Sequence, residues 1–265
     1  MSERQHGVFA LRYARRSDST RADHFYGHDP DSDAPYPIDY FIWVISRPDG
    51  VTVIDAGYTR EVSAMRVGDR QYFGDPDELL GLLGITVDEV DTLVLTHLHY
   101  DHTGHLRAFP NARVWVQQRE VEFWHLPLVK TRGDYPSLHG TADVDALDEL
   151  IERQRVNVID GDVEIDDTTS LHMVGGHSPG MTVVRVRQPG RTVVLASDAS
   201  HFYENFEQDK PFAIVHELPA MYLAFDRLRE LAGVDGVIVP GHDPRVAERH
   251  EVLSDERVIR LDGAR

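Results

Sequence analysis

The sequence predicts a layered α/β fold, and three observations lead there. Short β-branched apolar runs recur along the chain, helices with readable ends intervene, and 41% of the 265 residues are hydrophobic, enough to build a core. The runs lie at residues 41–45, 51–54, 92–95 and 114–116, then at 156–159, 182–186, 192–195 and 237–239. Nearly continuous apolar character suits strands covered on both faces, although 182–186 is less uniform. Arg47-Pro48-Asp49-Gly50 and Gln188-Pro189-Gly190-Arg191 each separate two runs by the spacing of a hairpin turn. Runs that close near Asp55, His97, Asp198 and His242 occur in both halves, so two similar β-rich halves are expected. With no linker or low-complexity tract in view, residues 1–265 read as a single domain.

Helices follow from their ends. Asp75-Pro76-Asp77-Glu78 supplies an N-cap, a proline at the first helical position and an acid two residues on, while Gly84 stops the stripe of Leu79, Leu80, Leu82 and Leu83. Residues 142–155 carry Val144, Leu147, Leu150 and Ile151 on one face. Pro219 opens a third helix with Met221, Phe225, Leu228 and Leu231, closed by Gly233. These stripes are core. Residues 14–39 and 125–140 read as long loops, the second holding Pro127, Gly133, Pro136 and Gly140. Loops of that length serve as lids, binding rims or subunit contacts, and 14–39 is the candidate for a homodimer contact or an active-site rim.

Composition narrows the chemistry. Against 27 Lys and Arg stand 45 Asp and Glu, a formal charge of −18, which argues against nucleic acid as a partner. There is no cysteine, which excludes disulfides, thiolate zinc sites and a cysteine nucleophile together. Any metal must be held by imidazole and carboxylate. Residues 1–19 lack the apolar run of a signal peptide, and no stretch approaches the roughly 20 apolar residues of a membrane span. A cytoplasmic protein without a membrane partner is expected.

The decisive segment is Thr96-His97-Leu98-His99-Tyr100-Asp101-His102-Thr103-Gly104-His105, directly after a strand run. Alternation along an extended chain points His97 and His99 the same way. If the chain then turns, Asp101 and His102 face the same space from a second side. His177 sits in the turn Gly175-Gly176-His177-Ser178-Pro179-Gly180, Asp198 follows the run 192–195, and His242 follows 237–239. Strand ends and tight loops are where functional residues gather in layered folds.

The pattern His97-x-His99-x-Asp101-His102, then His177, Asp198 and His242, resembles the metallo-β-lactamase-fold superfamily across nearly the whole chain. The resemblance implies an αβ/βα four-layer sandwich: two mixed β-sheets face to face, helices outside, metals at one sheet edge. It implies that His97, His99 and His177 hold one ion, that Asp101, His102 and His242 hold another, and that Asp198 bridges. The Asp turn at Asp55-Ala56-Gly57 is given a structural role beneath them. Two divalent ions are implied, Zn first, with Fe, Mn or Co also suited to such ligands. Sharing a water between them lowers its pKa toward neutrality and makes a bridging hydroxide the nucleophile. The thiolate-dependent β-lactamases are excluded by the missing cysteine.

Within the superfamily, Ser197-Asp198-Ala199-Ser200-His201-Phe202-Tyr203 and the two histidine segments are most similar to N-acyl-homoserine lactonases. The substrate implied is a small-molecule lactone. Those lactonases place a Tyr three residues after the bridging Asp, against the substrate carbonyl; here that position is His201. His201 is thus a candidate oxyanion donor in place of the phenol, with Tyr203 as a second candidate. Asp101 is the candidate proton shuttle to the leaving alkoxide, and Phe123, Trp124, Phe202 and Phe206 are candidates for an acyl pocket. A thioesterase or phosphodiesterase of the same fold, and a non-catalytic metal-binding scaffold, are the alternatives. Only 23 residues follow His242, too few for the helical extension of a glyoxalase-II-like thioesterase.

Overall fold

The computed structural model describes residues 3–132, 135–253 and 255–263, so Gly133 of the expected loop lies outside them. The first sheet takes β1 (Gly7–Arg16), β2 (Ile38–Arg47), β3 (Gly50–Ile54), β4 (Arg70–Tyr72), β5 (Thr92–Val94), β6 (Arg113–Gln117) and β7 (Val156–Ile159). The second takes β8 (Val163–Glu164), β9 (Thr169–Met173), β10 (Thr182–Gln188), β11 (Arg191–Ser197) and β12 (Val237–Pro240). The chain then returns through β13 (Glu251–Val252) and β14 (Val258–Arg260) to the first sheet, whose order is β13-β14-β1-β2-β3-β5-β6-β7, with β4 also on β1. The second sheet runs β12-β11-β10-β9-β8. Both are mixed: β3, β5, β6 and β7 are parallel, as are β11 and β12, and the remaining pairs are antiparallel. Both expected hairpins form, with Arg47 opposite Gly50 and Gln188 opposite Arg191.

Strand alternation builds the layers. In β1, Val8 and Ala10 join one core cluster with Leu171, Val184 and Val193, which register places on a single face of the second sheet, while Phe9 and Leu11 face the other way into a second cluster. In β2, Phe41, Trp43 and Ile45 take the inner side and Ile42 and Val44 the outer. The outer side is covered by Leu79 and Leu80 of the helix Pro76–Leu82, by Trp124 of Gln118–His125, and by Val144 and Leu147 of Thr141–Glu152. On the far side, Met221, Phe225 and Leu228 of the helix Leu218–Ala232 cover the second sheet. The result is the four-layer sandwich.

Three expectations are corrected. Residues 14–16 finish β1, which pairs with β2 over nearly its whole length, and residues 21–24 form a short helix, so 14–39 is not one continuous loop. The strand is hard to read because Arg12, Arg15 and Arg16 interrupt it, and the partner that makes Arg12 and Arg15 tolerable, the buried Asp39, lies on β2. Residues 125–140 likewise contain the helices Pro127–Thr131 and Tyr135–Leu138. The halves are also less alike than expected, since β13 and β14 cross back to the first sheet.

Candidate metal centre

The C-terminal ends of β3, β5, β9, β11 and β12 open on one edge, where the sheets are tied together by Thr182 N–H donating to the Thr96 carbonyl at 3.0 Å. The strand β5 stops at Val94, and His97 to His99 lie on an extended bend rather than in a ladder. His99 caps the one-turn helix Tyr100–Thr103, which carries Asp101 and His102 inward. His177 is brought in by Gly176, whose φ of +86° a side chain would resist; a Cβ there would stand 2.7 Å from the Met221 backbone. Asp55 and Ser197 also hold positive φ, +62° and +44°, so the backbone is strained at the ends of both strands that meet here.

Two groups of ligand atoms converge, each within 4.8 Å: His97, His99, His177 and Asp198 in one, and Asp101, His102 and His242 in the other, all buried. His177 Nε2 stands 3.2 Å from His97 Nε2 and 2.9 Å from His99 Nδ1. Asp198 reaches both groups, Oδ2 lying 3.3 Å from His177 Nε2 and Oδ1 3.1 Å from His242 Nε2 and 3.5 Å from His102 Nε2. Asp101 faces His102 at 3.7 Å and His242 at 3.8 Å.

The opposite ring nitrogens are held by the protein. Asp55 Oδ2 accepts from His102 Nδ1 at 2.7 Å, the Ile214 carbonyl from His177 Nδ1 at 2.9 Å, and the Asp39 carbonyl from His242 Nδ1 at 2.8 Å; Thr96 Oγ1 lies 3.1 Å from His97 Nδ1. Such contacts fix the tautomer and aim the other nitrogen inward. Asp55 therefore does more than shape a turn: it also accepts from Thr96 N–H and Oγ1, both at 2.8 Å, and from Ser197 Oγ at 3.1 Å, joining the two sheets beneath the site.

Electrostatics suit cations. Burial pushes His97, His99 and His177 down, His177 to about 3, so these rings are neutral and offer lone pairs. Burial acts the same way on His102 and His242, but Asp55, Asp198 and Asp101 outweigh it at His102, and Asp198 and Asp101 do at His242, so both are raised. Burial would raise Asp198; His242, His201 and His102 instead hold it well below the usual carboxylate range. His102 Nε2 and Asp198 Oδ1 are buried without a hydrogen-bond partner, although they face each other's group. Orphaned polar atoms of that kind are costly, and neutral imidazoles with carboxylates are the donor set that borderline divalent ions take. The residues fit a metal pair.

Other residues of the motif are placed elsewhere. His105 turns away to Tyr72 Oη at 3.0 Å. His201 is buried, with Nε2 2.9 Å from Asp198 Oδ2 and its ring stacked on Phe212 at a centroid distance of 3.8 Å, and it forms a further candidate ligand group with Asp198 and His242. Tyr203 opens the helix Tyr203–Gln208, and its hydroxyl lies 3.3 Å from His250 Nε2. Phe202 is fully buried against His24, Phe25 and Tyr36, and Phe206 packs in the core cluster that includes the helix Leu218–Ala232, so neither lines the small cavity at the ligand cluster. Phe123 and Trp124 do, beside His99 and His177, in a cavity of about 40 Å³.

One structural residue left no signal in the sequence. Glu120, on the helix Gln118–His125, is fully buried and accepts from Leu98 N–H at 3.1 Å, Trp124 Nε1 at 3.0 Å and Gly180 N–H at 2.7 Å. It joins the loop of His97 and His99 to that of His177. Tyr13 Oη, from the unrecognised β1, donates to the Asp101 carbonyl at 2.9 Å.

The family model of the metallo-beta-lactamase superfamily matches residues 36–242. The N-acyl homoserine lactonase AttM of Agrobacterium fabrum is 28% identical over 236 residues, covering 80% of this chain and 84% of that relative. The N-acyl homoserine lactonase AiiA of Bacillus thuringiensis subsp. kurstaki is 30% identical over 169 residues, 62% of this chain and 60% of its own. Among solved structures, a B. thuringiensis AiiA mutant with N-decanoyl-L-homoserine at its active site superposes with a TM-score of 0.75 at 20% identity, covering 96% and 99% of the two chains. AidC, a dizinc quorum-quenching lactonase, superposes with a TM-score of 0.70 at 16% identity, covering 92% and 90%.

Proposed function

Because the chain belongs to the metallo-beta-lactamase superfamily, we propose that it is a metal-dependent hydrolase that opens a lactone ring, that of an N-acyl homoserine lactone or a related ester. The carrying observation is the convergence of seven buried ligand side chains around the unpartnered His102 Nε2 and Asp198 Oδ1. His97, His99 and His177 would hold one divalent ion, Asp101, His102 and His242 a second, and Asp198 both, with zinc the first choice and iron, manganese or cobalt compatible. When bound, such a pair supplies Lewis acidity and a water acidic enough to act as nucleophile near neutral pH.

The chain's own residues supply the rest. Ring opening adds one water across the ester: the carbonyl carbon gains an oxygen, the ring C–O bond breaks, and the alkoxide needs a proton. We assign that transfer to Asp101, a reading supported by the 11% exposure its side chain keeps and by the bond from Tyr13 Oη that holds its backbone. His201 is the candidate to polarise the carbonyl, and reaches it only by giving up Asp198, which it otherwise orients.

Metal-loaded protein is offered N-hexanoyl homoserine lactone, a simple γ-lactone, a thioester and bis-p-nitrophenyl phosphate, with acid release followed by a pH indicator. Acid release from the lactones is expected. Turnover of the phosphodiester or thioester alone would replace the reading with one of its rivals, and turnover of none would leave a binding scaffold. His201→Tyr should keep lactone hydrolysis but raise its kcat/KM; unchanged kinetic constants would make His201 a bystander.

A further inference from the structure

We propose that the large cavity beside the metal-ligand cluster is a carboxylate subsite, so that the lactone opened by this chain carries a negative charge at the far end of its acyl chain. This rests on the lactonase reading above and extends it to the substrate's tail.

The cavity has a volume of about 580 Å³, against about 40 Å³ for the one between Phe123, Trp124 and His177. The smaller holds a few waters, not an acyl chain. Three guanidinium groups line the larger one, those of Arg16, Arg66 and Arg70. That is unexpected in a chain with a formal charge of −18, whose field repels anions in general. Arg16 is neutralised by Asp18 at 3.0 Å. Arg66 and Arg70 form no ion pair among the described residues. Arg66 donates to the Ser137 carbonyl at 2.6 Å and lies over the Tyr100 ring at 3.2 Å; Arg70 donates to Tyr40 Oη at 2.6 Å and to the Val67 carbonyl at 3.3 Å. These partners are neutral, so among the described residues two guanidinium charges line the cavity with no carboxylate paired to them. Among the described residues the one carboxylate in the lining is that of Asp143, which accepts from Thr103 Oγ1 at 3.1 Å and whose pKa burial raises.

The walls are shared with the metal ligands. Tyr100 stands between His99 and Asp101 in the chain; Tyr40, which fixes Arg70, packs its ring 5.1 Å from that of His242; and His139 packs 4.9 Å from Trp124, itself 5.4 Å from His99. At the rim, Met65 and Val67 expose 76% and 90% of their surface. Apolar groups outside and unpaired guanidiniums within suit a methylene chain that ends in a carboxylate, which an arginine fork binds in bidentate fashion.

The test compares N-hexanoyl homoserine lactone with the analogue whose six-carbon acyl chain ends in a carboxylate, using metal-loaded wild type, Arg66→Gln and Arg66→Lys. Wild type should favour the carboxylate in kcat/KM at least tenfold, through KM; Arg66→Gln should bring the ratio near one, and Arg66→Lys should keep part of it. Equal kcat/KM in wild type, or a ratio unmoved by Arg66→Gln, overturns the subsite. Should neither lactone be opened, the lactonase reading fails by itself, and calorimetric titration of the same proteins with monomethyl adipate still decides the subsite. Binding at least tenfold weaker in Arg66→Gln supports it, and equal binding refutes it.

Discussion

Replacing Asp55 by Asn changes one atom and tests how the second ligand group is prepared. The carboxylate is fully buried and accepts four hydrogen bonds: two from Thr96, one from Ser197 and one from His102 Nδ1 at 2.7 Å. Asparagine keeps one oxygen, which can go on accepting from the Thr96 N–H. Its amide nitrogen then faces His102 Nδ1, which must become an acceptor. The imidazole proton is thereby moved to Nε2, the nitrogen aimed at Asp101 and Asp198. Lost outer contacts of this type cost about 10- to 100-fold in metal affinity, or roughly 1.4–2.7 kcal/mol. Competition with a chelator of known affinity, two equivalents loaded at the start, should show one ion weakened by that factor and the other held nearly as before. Circular dichroism checks that the variant is folded. Asp55→Ala is the harsher control: it orphans four buried donors, and at about 1–3 kcal/mol each with partial relaxation it should cost on the order of 3–5 kcal/mol of stability. If Asp55→Asn retains both equivalents at wild-type affinity, the tautomer argument is wrong.

Glu120→Gln should lower the melting temperature by several degrees, because one of three buried N–H donors then meets an amide N–H; about 1–3 kcal/mol is at stake, and an unchanged Tm refutes the bridging role. Gly176→Ala sets a Cβ 2.7 Å from the Met221 backbone at a φ of +86°, so a loss of about 1–3 kcal/mol in denaturant unfolding is expected, with fewer metal equivalents retained because His177 is the next residue. The pH dependence should carry a mark from Glu204, whose hydrogen bonds to Arg21 and then Lys210 lower its pKa from 4.5 to about 2. A depressed carboxyl contributes stability that is complete above the unfolded pKa and is lost as pH falls toward the folded one. Glu204→Gln should therefore flatten the stability curve between about pH 5 and pH 2, and a slope equal to wild type would dismiss the pairing.

The cluster of candidate metal ligands was legible because its chemistry is local. Four histidines and an aspartate within nine positions have few other uses, and the strand runs before His97, Asp198 and His242 are continuous enough to read without a partner. The helix ends at Asp75, Pro219 and Gly233 were legible for the same reason, since capping is decided by residues within one turn. By contrast, β1 looks like a basic stretch until Asp39 is set against Arg12 and Arg15, twenty-odd residues away.

The sequence by itself determined the kind of centre: a cysteine-free cage of imidazole and carboxylate at strand ends in a mixed α/β chain. Tertiary structure alone decided what aims that cage. Asp55, Glu120, Tyr13 and the carbonyls of Asp39 and Ile214 act across 37 to 203 residues, apart from Glu120, which spans 22 to Leu98 and 60 to Gly180. A hydrogen bond depends on position and direction, and burial decides its strength. Neither quantity exists until the two sheets have closed on each other.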